Sequence, residues 1–265
     1  MKLNLLFIAM TFLFCTGLIQ AQELTIGEAI NKAGRQRMLS QKMTKCYMMI
    51  GSDVKVEAAR KELDDAVALF EEQFLELEDY APSAKVSEKL AEVYDLWMPF
   101  RLKVIAQPKV SEAASLIDES STLLATCNEV VVALEEYARI KAARLVNISG
   151  RQRMLSQRIA MLYLAYAWEV PNSSIYGELK TSKTQFEEAL EELIASSFNT
   201  AEISSRLAKV ESQWDFSKMT FDVKSNKLMP SVMTVTANSI LKKMNKITGM
   251  YAQVADGKQK VASAR

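Results

Sequence analysis

A glycine and an arginine three residues further on occur twice in this chain, both times inside the eight-residue sequence GRQRMLSQ. The first copy is Gly34–Gln41 and the second is Gly150–Gln157, 116 residues later. On a helix this spacing places glycine, arginine, methionine and glutamine on one face. The positions concerned are Gly34, Arg37, Met38 and Gln41 in the first copy, and Gly150, Arg153, Met154 and Gln157 in the second.

These residue types favour the binding of a small anion. Glycine inside a helix costs about 1 kcal/mol relative to alanine, but it lets another helix or a small ligand approach the backbone. If the two copies face each other, Arg37 and Arg153 repel across a dry gap unless an anion lies between them. A guanidinium fork matches two oxygens of a flat oxyanion, so the motif favours a small planar anion over a bulky substrate; nitrate and nitrite are flat, small and singly charged. Alternatively, the arginines are structural and pair with Glu28 or another carboxylate.

Apolar residues at helical spacing, separated by prolines and polar stretches, predict a helical chain. Thr25 and Glu28 have the spacing of a capping box, so the first helix is expected to begin there and to continue to Ile50. Pro99 is expected to end or kink the third helix. Further helices are predicted over 56–80, 83–106, 176–197, 201–221 and 232–254, and from Ser111 to at least Ala143.

The repeated sequence indicates an internal duplication of a unit of about four helices. Packing alone tolerates wide substitution among apolar residues, so eight identical residues in otherwise diverged copies point to a function. The predicted fold class is all-α, with two tandem antiparallel four-helix-bundle units. The boundaries are a signal peptide at 1–21, unit 1 at 22–146, unit 2 at 147–255 and a frayed tail at 256–265.

The junction between the units allows two arrangements. One continuous helix could join two stacked bundles, and a homodimer would then bring Arg37 against its own counterpart. A reversal near Asn147–Ser149 would instead set the two motif helices side by side and parallel within one chain. The sequence alone leaves both open.

Composition excludes several classes of function. The 265-residue chain has no histidine, which removes histidine-based catalysis and most zinc or copper sites, and we expect neither an enzyme nor a bound metal or cofactor. Its 33 basic and 32 acidic residues do not favour nucleic-acid binding. The start of the chain, positive and then apolar, resembles a signal peptide cleaved after Ala21, so a periplasmic or secreted protein is expected.

Two cysteines, Cys46 and Cys127, follow the predicted leader. In an exported protein they could form a disulfide, or they could remain two buried thiols. Asn128 and Asn238 recur in the last helix of each unit, either as a buried polar contact or by chance.

GRQRMLSQ, preceded by asparagine and followed by a basic residue, resembles the type IV pili methyl-accepting chemotaxis transducer N-terminal (PilJ-type) domain. It is also similar to the periplasmic sensor domain of nitrate/nitrite-sensing histidine kinases. There the segment opens the first helix of a four-helix bundle, and two copies hold one anion. The resemblance implies that Arg37 and Arg153 bind the ligand and that Gly34 and Gly150 offer backbone contacts.

The resemblance also sets expectations for the surroundings of the site and for partners. A supporting layer is expected at Arg35, Met38, Gln41, Arg151, Met154 and Gln157. No kinase, linker module or methyl-accepting segment is recognised in the chain, so the signal is expected to pass to a membrane receptor or sensor kinase.

Overall fold

The computed structural model describes residues 24–221, 223 and 227–263, and these form eight α-helices without a β-strand. The all-α fold class is therefore confirmed. The predicted signal peptide, 1–21, lies outside the described residues. No helix in the described part of the chain is long and apolar enough to cross a membrane. The helices are α1 (Ile26–Gly51), α2 (Val56–Tyr80), α3 (Ala84–Val104), α4 (Val110–Ala138), α5 (Lys141–Ala167), α6 (Ile175–Ile194), α7 (Ala201–Ser217) and α8 (Pro230–Ser263).

The start of α1 follows the sequence prediction. The Thr25 hydroxyl accepts a hydrogen bond from the backbone N–H of Glu28, and the Glu28 carboxylate accepts one from the backbone N–H of Thr25. This reciprocal pair satisfies two amides that the helix itself leaves free. The Glu28 carboxylate is thereby engaged at the helix start and does not pair with Arg37.

The helices differ from the prediction in two places. α4 begins at Val110 after Lys109, which gives no side-chain cap, so Ser111 lies inside the helix, and α4 ends at Ala138 and does not continue to Ala143. Pro99 lies inside α3, so of its two predicted effects the end of the helix is wrong. The helix continues because Pro99 is on the exposed side, while Phe100 and its later neighbour Val104 are buried and hold the last turn against the core.

The chain reverses between α4 and α5. Arg139 adopts a left-handed conformation with φ of 52°, and Ile140 is extended, so α4 ends at Ala138 and α5 starts at Lys141. This excludes the continuous helix. The reversal comes earlier than the predicted turn near Asn147–Ser149 and earlier than the predicted boundary after residue 146. A left-handed arginine with no proline or glycine beside it gives no turn signal that sequence reasoning could recognise.

The two motif helices, α1 and α5, lie side by side at the centre of the molecule and run parallel. Three contacts along their length show the direction: Arg153 with Asn31, Arg158 with Gln41, and Trp168 against Gly51. From the first of these contacts to the third, the residue numbers increase on both helices, so α1 and α5 run in the same direction. Helices α2 and α4 cover α1, and α6 and α8 cover α5. The structure therefore has the parallel arrangement.

The two units repeat each other in detail, which confirms the duplicated bundle. Tryptophan stacks on phenylalanine in both, with ring centroids 4.0 Å apart for Phe70 and Trp97 and 4.2 Å apart for Phe186 and Trp214. In each unit the backbone carbonyl of that phenylalanine accepts a hydrogen bond from a glutamine of the repeated sequence. The units are related by an approximate two-fold axis between α1 and α5.

Over the described residues of the predicted tail, which starts at residue 256, α8 continues to Ser263. Asp256 explains part of this extension. Its carboxylate accepts hydrogen bonds from the Thr25 hydroxyl and from the Gly27 backbone N–H, both at 2.8 Å. The end of unit 2 is thus attached to the beginning of α1.

Cys46 and Cys127 are both buried and both free, so the disulfide alternative is wrong. The Cys46 thiol is 3.6 Å from the Glu62 carboxylate, whereas Cys127 is near Arg37. Burial raises the pKa of each thiol to about 12, so both stay protonated at neutral pH.

Candidate anion site between the motif helices

The structure brings Gly34, Arg37, Gly150 and Arg153 together where α1 meets α5. A Cβ atom on Gly34 would lie 3.1 Å from Nη2 of Arg37 and 3.4 Å from Nη2 of Arg153. A Cβ atom on Gly150 would lie 3.2 Å from Nη2 of Arg153 and 3.3 Å from Nη2 of Arg37. Each glycine therefore makes room for both guanidinium groups, and the two cations meet across the interface.

Arg37 is held by amide oxygens of the two neighbouring helices. Its Nη1 donates to the side-chain oxygen of Asn128 on α4 at 2.5 Å, and its Nη2 donates to the backbone oxygen of Asn147 on α5 at 3.3 Å. These contacts orient the guanidinium plane without neutralising its charge.

Arg153 has the equivalent partners in the other unit. Its Nη1 donates to the side-chain oxygens of Asn31 at 2.8 Å and Asn245 at 3.3 Å. Its Nη2 donates to the backbone oxygen of Asn31 at 3.0 Å. Asn31 and Asn245 occupy the positions in α1 and α8 that Asn147 and Asn128 occupy in α5 and α4, so the site has the two-fold symmetry of the molecule.

No carboxylate pairs with either arginine in the described part of the chain, although Arg37 is 2% exposed and Arg153 is 0% exposed. Glu135 is a nearby acid that acts on Arg37, but its carboxylate accepts a hydrogen bond from the Asn147 side chain at 2.7 Å. The predicted structural alternative, an ion pair with Glu28 or another carboxylate, is therefore not what the structure contains.

The charges of the two arginines are costly in this setting. Burial lowers the pKa of Arg37 to about 10, and burial together with the charges of Arg35 and Arg37 lowers the pKa of Arg153. The Nε atoms of Arg37 and Arg153 are buried and have no hydrogen-bond partner among the described residues. Two like charges in a buried interface, each with an unused donor, form a site where an anion would be stabilised.

A groove of about 670 Å³ leads from the surface to Arg37. Its walls come chiefly from α4 and α5, and Arg151, Met154 and Arg158 on α5 line it beside Asn128 of α4. Arg153 does not line this groove. Of the two arginines, Arg37 is thus the one on the side of the groove.

The predicted supporting residues divide into two groups. Arg35 and Arg151 each act across the interface, since Arg35 lowers the pKa of Arg153 and Arg151 lowers that of Arg37 by charge repulsion. They add to the positive potential of the site. Met38 is buried in the core, whereas Met154 reaches the groove.

Gln41 and Gln157 link the motif helices to other helices. Gln41 donates to the backbone oxygen of Ser120 at 3.1 Å, and Gln157 donates to that of Ala237 at 3.3 Å. Each glutamine thus joins its motif helix to the last helix of its own unit. The Gln41 side-chain oxygen also accepts a hydrogen bond from Arg158, which joins α1 to α5.

Sequence reasoning missed most of the asparagines. Asn31 and Asn147 begin the repeated segments but were given no role, and Asn128 was paired with Asn238. The structure pairs Asn128 with Asn245, while Asn238 accepts a hydrogen bond from Lys45. The sequence contained the signal for the correct pair. The two motifs are 116 residues apart and Asn128 and Asn245 are 117 residues apart, so the last helices follow nearly the same repeat spacing.

Within residues 24–221, 223 and 227–263, no group of three or more Cys, Asp or Glu side chains is placed to hold a metal ion. The candidate site is therefore the arginine pair, which the sequence singled out and the structure brings together.

A parallel pair of motif helices, each inside its own four-helix unit, defines a duplicated helical-bundle domain. The family model for the N-terminal domain of type IV pili methyl-accepting chemotaxis transducers (PilJ) matches residues 18–119 and again residues 139–238. The chain belongs to the PilJ family and carries two tandem copies of its domain. No curated protein and no solved structure matches the chain.

Proposed function

We propose that this protein is an exported, periplasmic sensor domain that binds one small planar anion, nitrate or nitrite, between α1 and α5. In this proposal Arg37 and Arg153 bind the anion, and the backbones of Gly34 and Gly150 allow it to lie against the helices. The signal then passes to a membrane partner, either a receptor or a sensor kinase. The chain itself has a sensory and not a catalytic role.

A single observation carries the proposal: two buried guanidinium groups meet, and neither forms an ion pair with a carboxylate in the part of the chain that the structure describes. A monovalent anion would offset the repulsion between the two guanidinium groups. It would also accept hydrogen bonds from their unpartnered Nε–H groups, in surroundings where charge-assisted hydrogen bonds are strong. A flat ion with three oxygens or fewer suits two planar forks better than a bulky tetrahedral one.

The same contacts suggest how binding could change the molecule. Arg37 is linked to α4 through Asn128, and Arg153 is linked to α8 through Asn245. An anion that draws the two forks together would change the hydrogen bonds to both asparagines. The last helices of the two units would then shift relative to the central pair, which is a change that a partner could recognise.

The proposal is tested by thermal unfolding in sodium nitrate, nitrite, chloride and sulfate at equal ionic strength. Nitrate or nitrite at 100 times its dissociation constant should add about 2.7 kcal/mol of stability, which corresponds to a rise of several degrees in Tm. Arg37→Ala and Arg153→Ala should abolish the rise. Arg37→Lys, which keeps the charge but loses the planar fork, should reduce it strongly.

Arg144→Ala is the control, because Arg144 is an exposed α5 arginine whose partner is Glu192. This variant should keep the full response to nitrate. Equal responses to all four salts, or a nitrate response that survives both alanine substitutions, would contradict the proposal.

The second candidate is a structural or adaptor helical bundle without a small-molecule ligand. One observation favours it: the terminal nitrogens of both arginines already donate to asparagine oxygens. In that case the repeated motif serves to join α1 to α5, and none of the four salts would raise Tm specifically.

A further inference from the structure

The outer helices of the two units can be compared position by position. Trp97 and Trp214 have the same packing role in α3 and α7, and Asn128 and Asn245 have the same role in α4 and α8. Both pairs are 117 residues apart. The surface formed by α3 and α4 in unit 1 therefore corresponds to the surface formed by α7 and α8 in unit 2.

In unit 1 this surface carries one cation between two carboxylates. Lys89 is bound by two carboxylates, with its Nζ 2.9 Å from Glu92 and 2.8 Å from Glu129. The cation and both acids thus form one local cluster.

In unit 2 both acids are replaced by lysines. Arg206 stands at the position of Lys89, while Lys209 and Lys246 stand at the positions of Glu92 and Glu129. A cavity of about 270 Å³ lies here between α7 and α8, and its lining is almost entirely basic: Arg206, Lys209, Ser239, Lys242, Lys243 and Lys246.

Little in the described residues offsets this basic cluster. Arg206 pairs with Glu202 one turn earlier on α7, and Lys243 donates to the Gln213 and Ser239 oxygens. Within the described part of the chain, Lys209, Lys242 and Lys246 form no ion pair.

The same two helices carry exposed apolar residues at their other end. Arg206, Lys209, Gln213 and Phe216 follow one another at helical spacing on α7, and Phe216 is 89% exposed. Val232 and Val235 precede Ser239 and Lys242 in the same way on α8, and are 47% and 54% exposed. The corresponding residues of unit 1 are Pro99, Ser115 and Asp118.

We propose that this α7–α8 surface binds an anionic phospholipid membrane. Lysines on long flexible stems would contact the phosphate headgroups, while Phe216 and the two valines would enter the boundary of the acyl chains. A free phosphate ion would need the basic cavity but not the apolar end. Protein interfaces usually offer a pocket for an anchor residue, whereas Phe216 protrudes from this surface. An acidic protein is therefore a poorer fit than a membrane. The proposal is independent of the anion site between α1 and α5.

The test is co-sedimentation of the whole protein with vesicles of phosphatidylcholine alone, or with one quarter phosphatidylglycerol, at low and high salt. Phosphatidylglycerol should increase binding at least tenfold, and high salt should weaken it. Lys209→Glu with Lys246→Glu restores the unit 1 residues and should reduce binding at least tenfold. Phe216→Ser should reduce it several-fold at constant charge.

The matched control is Arg60→Glu with Lys141→Glu, which changes the net charge equally at exposed positions on α2 and α5. It should bind like the wild type, and circular dichroism should show that all variants remain folded. Equal binding to both vesicle types, equal loss in the control, or full displacement by 10 mM inorganic phosphate would overturn the proposal. Phosphate displacement would indicate a small-anion pocket instead.

Discussion

Lys45 shows at the residue scale how the duplicated units have diverged. Its ammonium group is fully buried and is 2.9 Å from the Glu62 carboxylate and 2.8 Å from the Asn238 side-chain oxygen. The same position of unit 2 holds Met161, which is also buried. Burial acts to raise the pKa of Glu62, but the charges of Lys45 and Lys42 and the hydrogen bonds outweigh it, so the pKa is lowered.

Glu62→Gln should therefore destabilise the protein at neutral pH and matter less in acid. A carboxyl whose folded-state pKa is below its unfolded value of about 4.3 contributes stability above that value, and loses it as the pH falls. We expect a loss of about 1–3 kcal/mol at pH 7, from urea unfolding, and a smaller difference from wild type at pH 4 and below.

Glu72→Gln on the exposed side of the same helix is the control, and at pH 7 it should change the free energy of unfolding by no more than about 0.5 kcal/mol. A Glu62→Gln difference that grows as the pH falls would contradict the assignment of the ion pair.

At the scale of the elements, the reversal between α4 and α5 decides how the two motif helices lie relative to each other. Two residues outside the helices, Arg139 and Ile140, turn the chain so that α5 lies beside α1 and not beyond α4. Arg139 is exposed and left-handed. A non-glycine residue in that conformation costs roughly 1–2 kcal/mol, which the packing of α5 must offset.

Arg139→Gly should raise the free energy of unfolding by about 0.5 kcal/mol. Glycine removes the strain of the left-handed backbone, although part of the gain is offset by the greater entropy of the unfolded chain. Urea unfolding measures the change, and Arg139→Ala, which removes the charge but keeps the strain, should give no gain. An equal gain in both variants would mean that the arginine charge, and not the backbone, is responsible.

The whole molecule contains within one chain a two-fold pair of motif helices. Arg37 meets Arg153 of the same chain, so the pairing that stacked bundles would have obtained from a homodimer is present in the monomer. The proposed function therefore implies one anion for each chain, at the single interface between α1 and α5.

Isothermal titration with the anion that raises Tm should therefore give one ion per chain. Sedimentation velocity should show the same mass with and without the anion, because binding needs no second copy. One anion per two chains, together with a doubled mass, would mean that the ligand lies between protomers.

The sequence by itself determined the helical fold class and singled out the two arginines. Thr25 and Glu28 marked the start of α1 because a capping box is local chemistry, and the repeated GRQRMLSQ identified Arg37 and Arg153 because identity in diverged copies is visible without coordinates. The sequence was less informative where local signals were weak or misleading, as at Arg139 and Pro99.

Only the tertiary structure decided which helices are neighbours. The choice between parallel and stacked units depended on two residues without a turn signal, and the asparagines around the arginines come from four different helices. The basic surface of α7 and α8 likewise exists only where two helices pack. Helical periodicity is encoded over a few turns, whereas the meeting of residues more than a hundred positions apart depends on the packing of the whole chain.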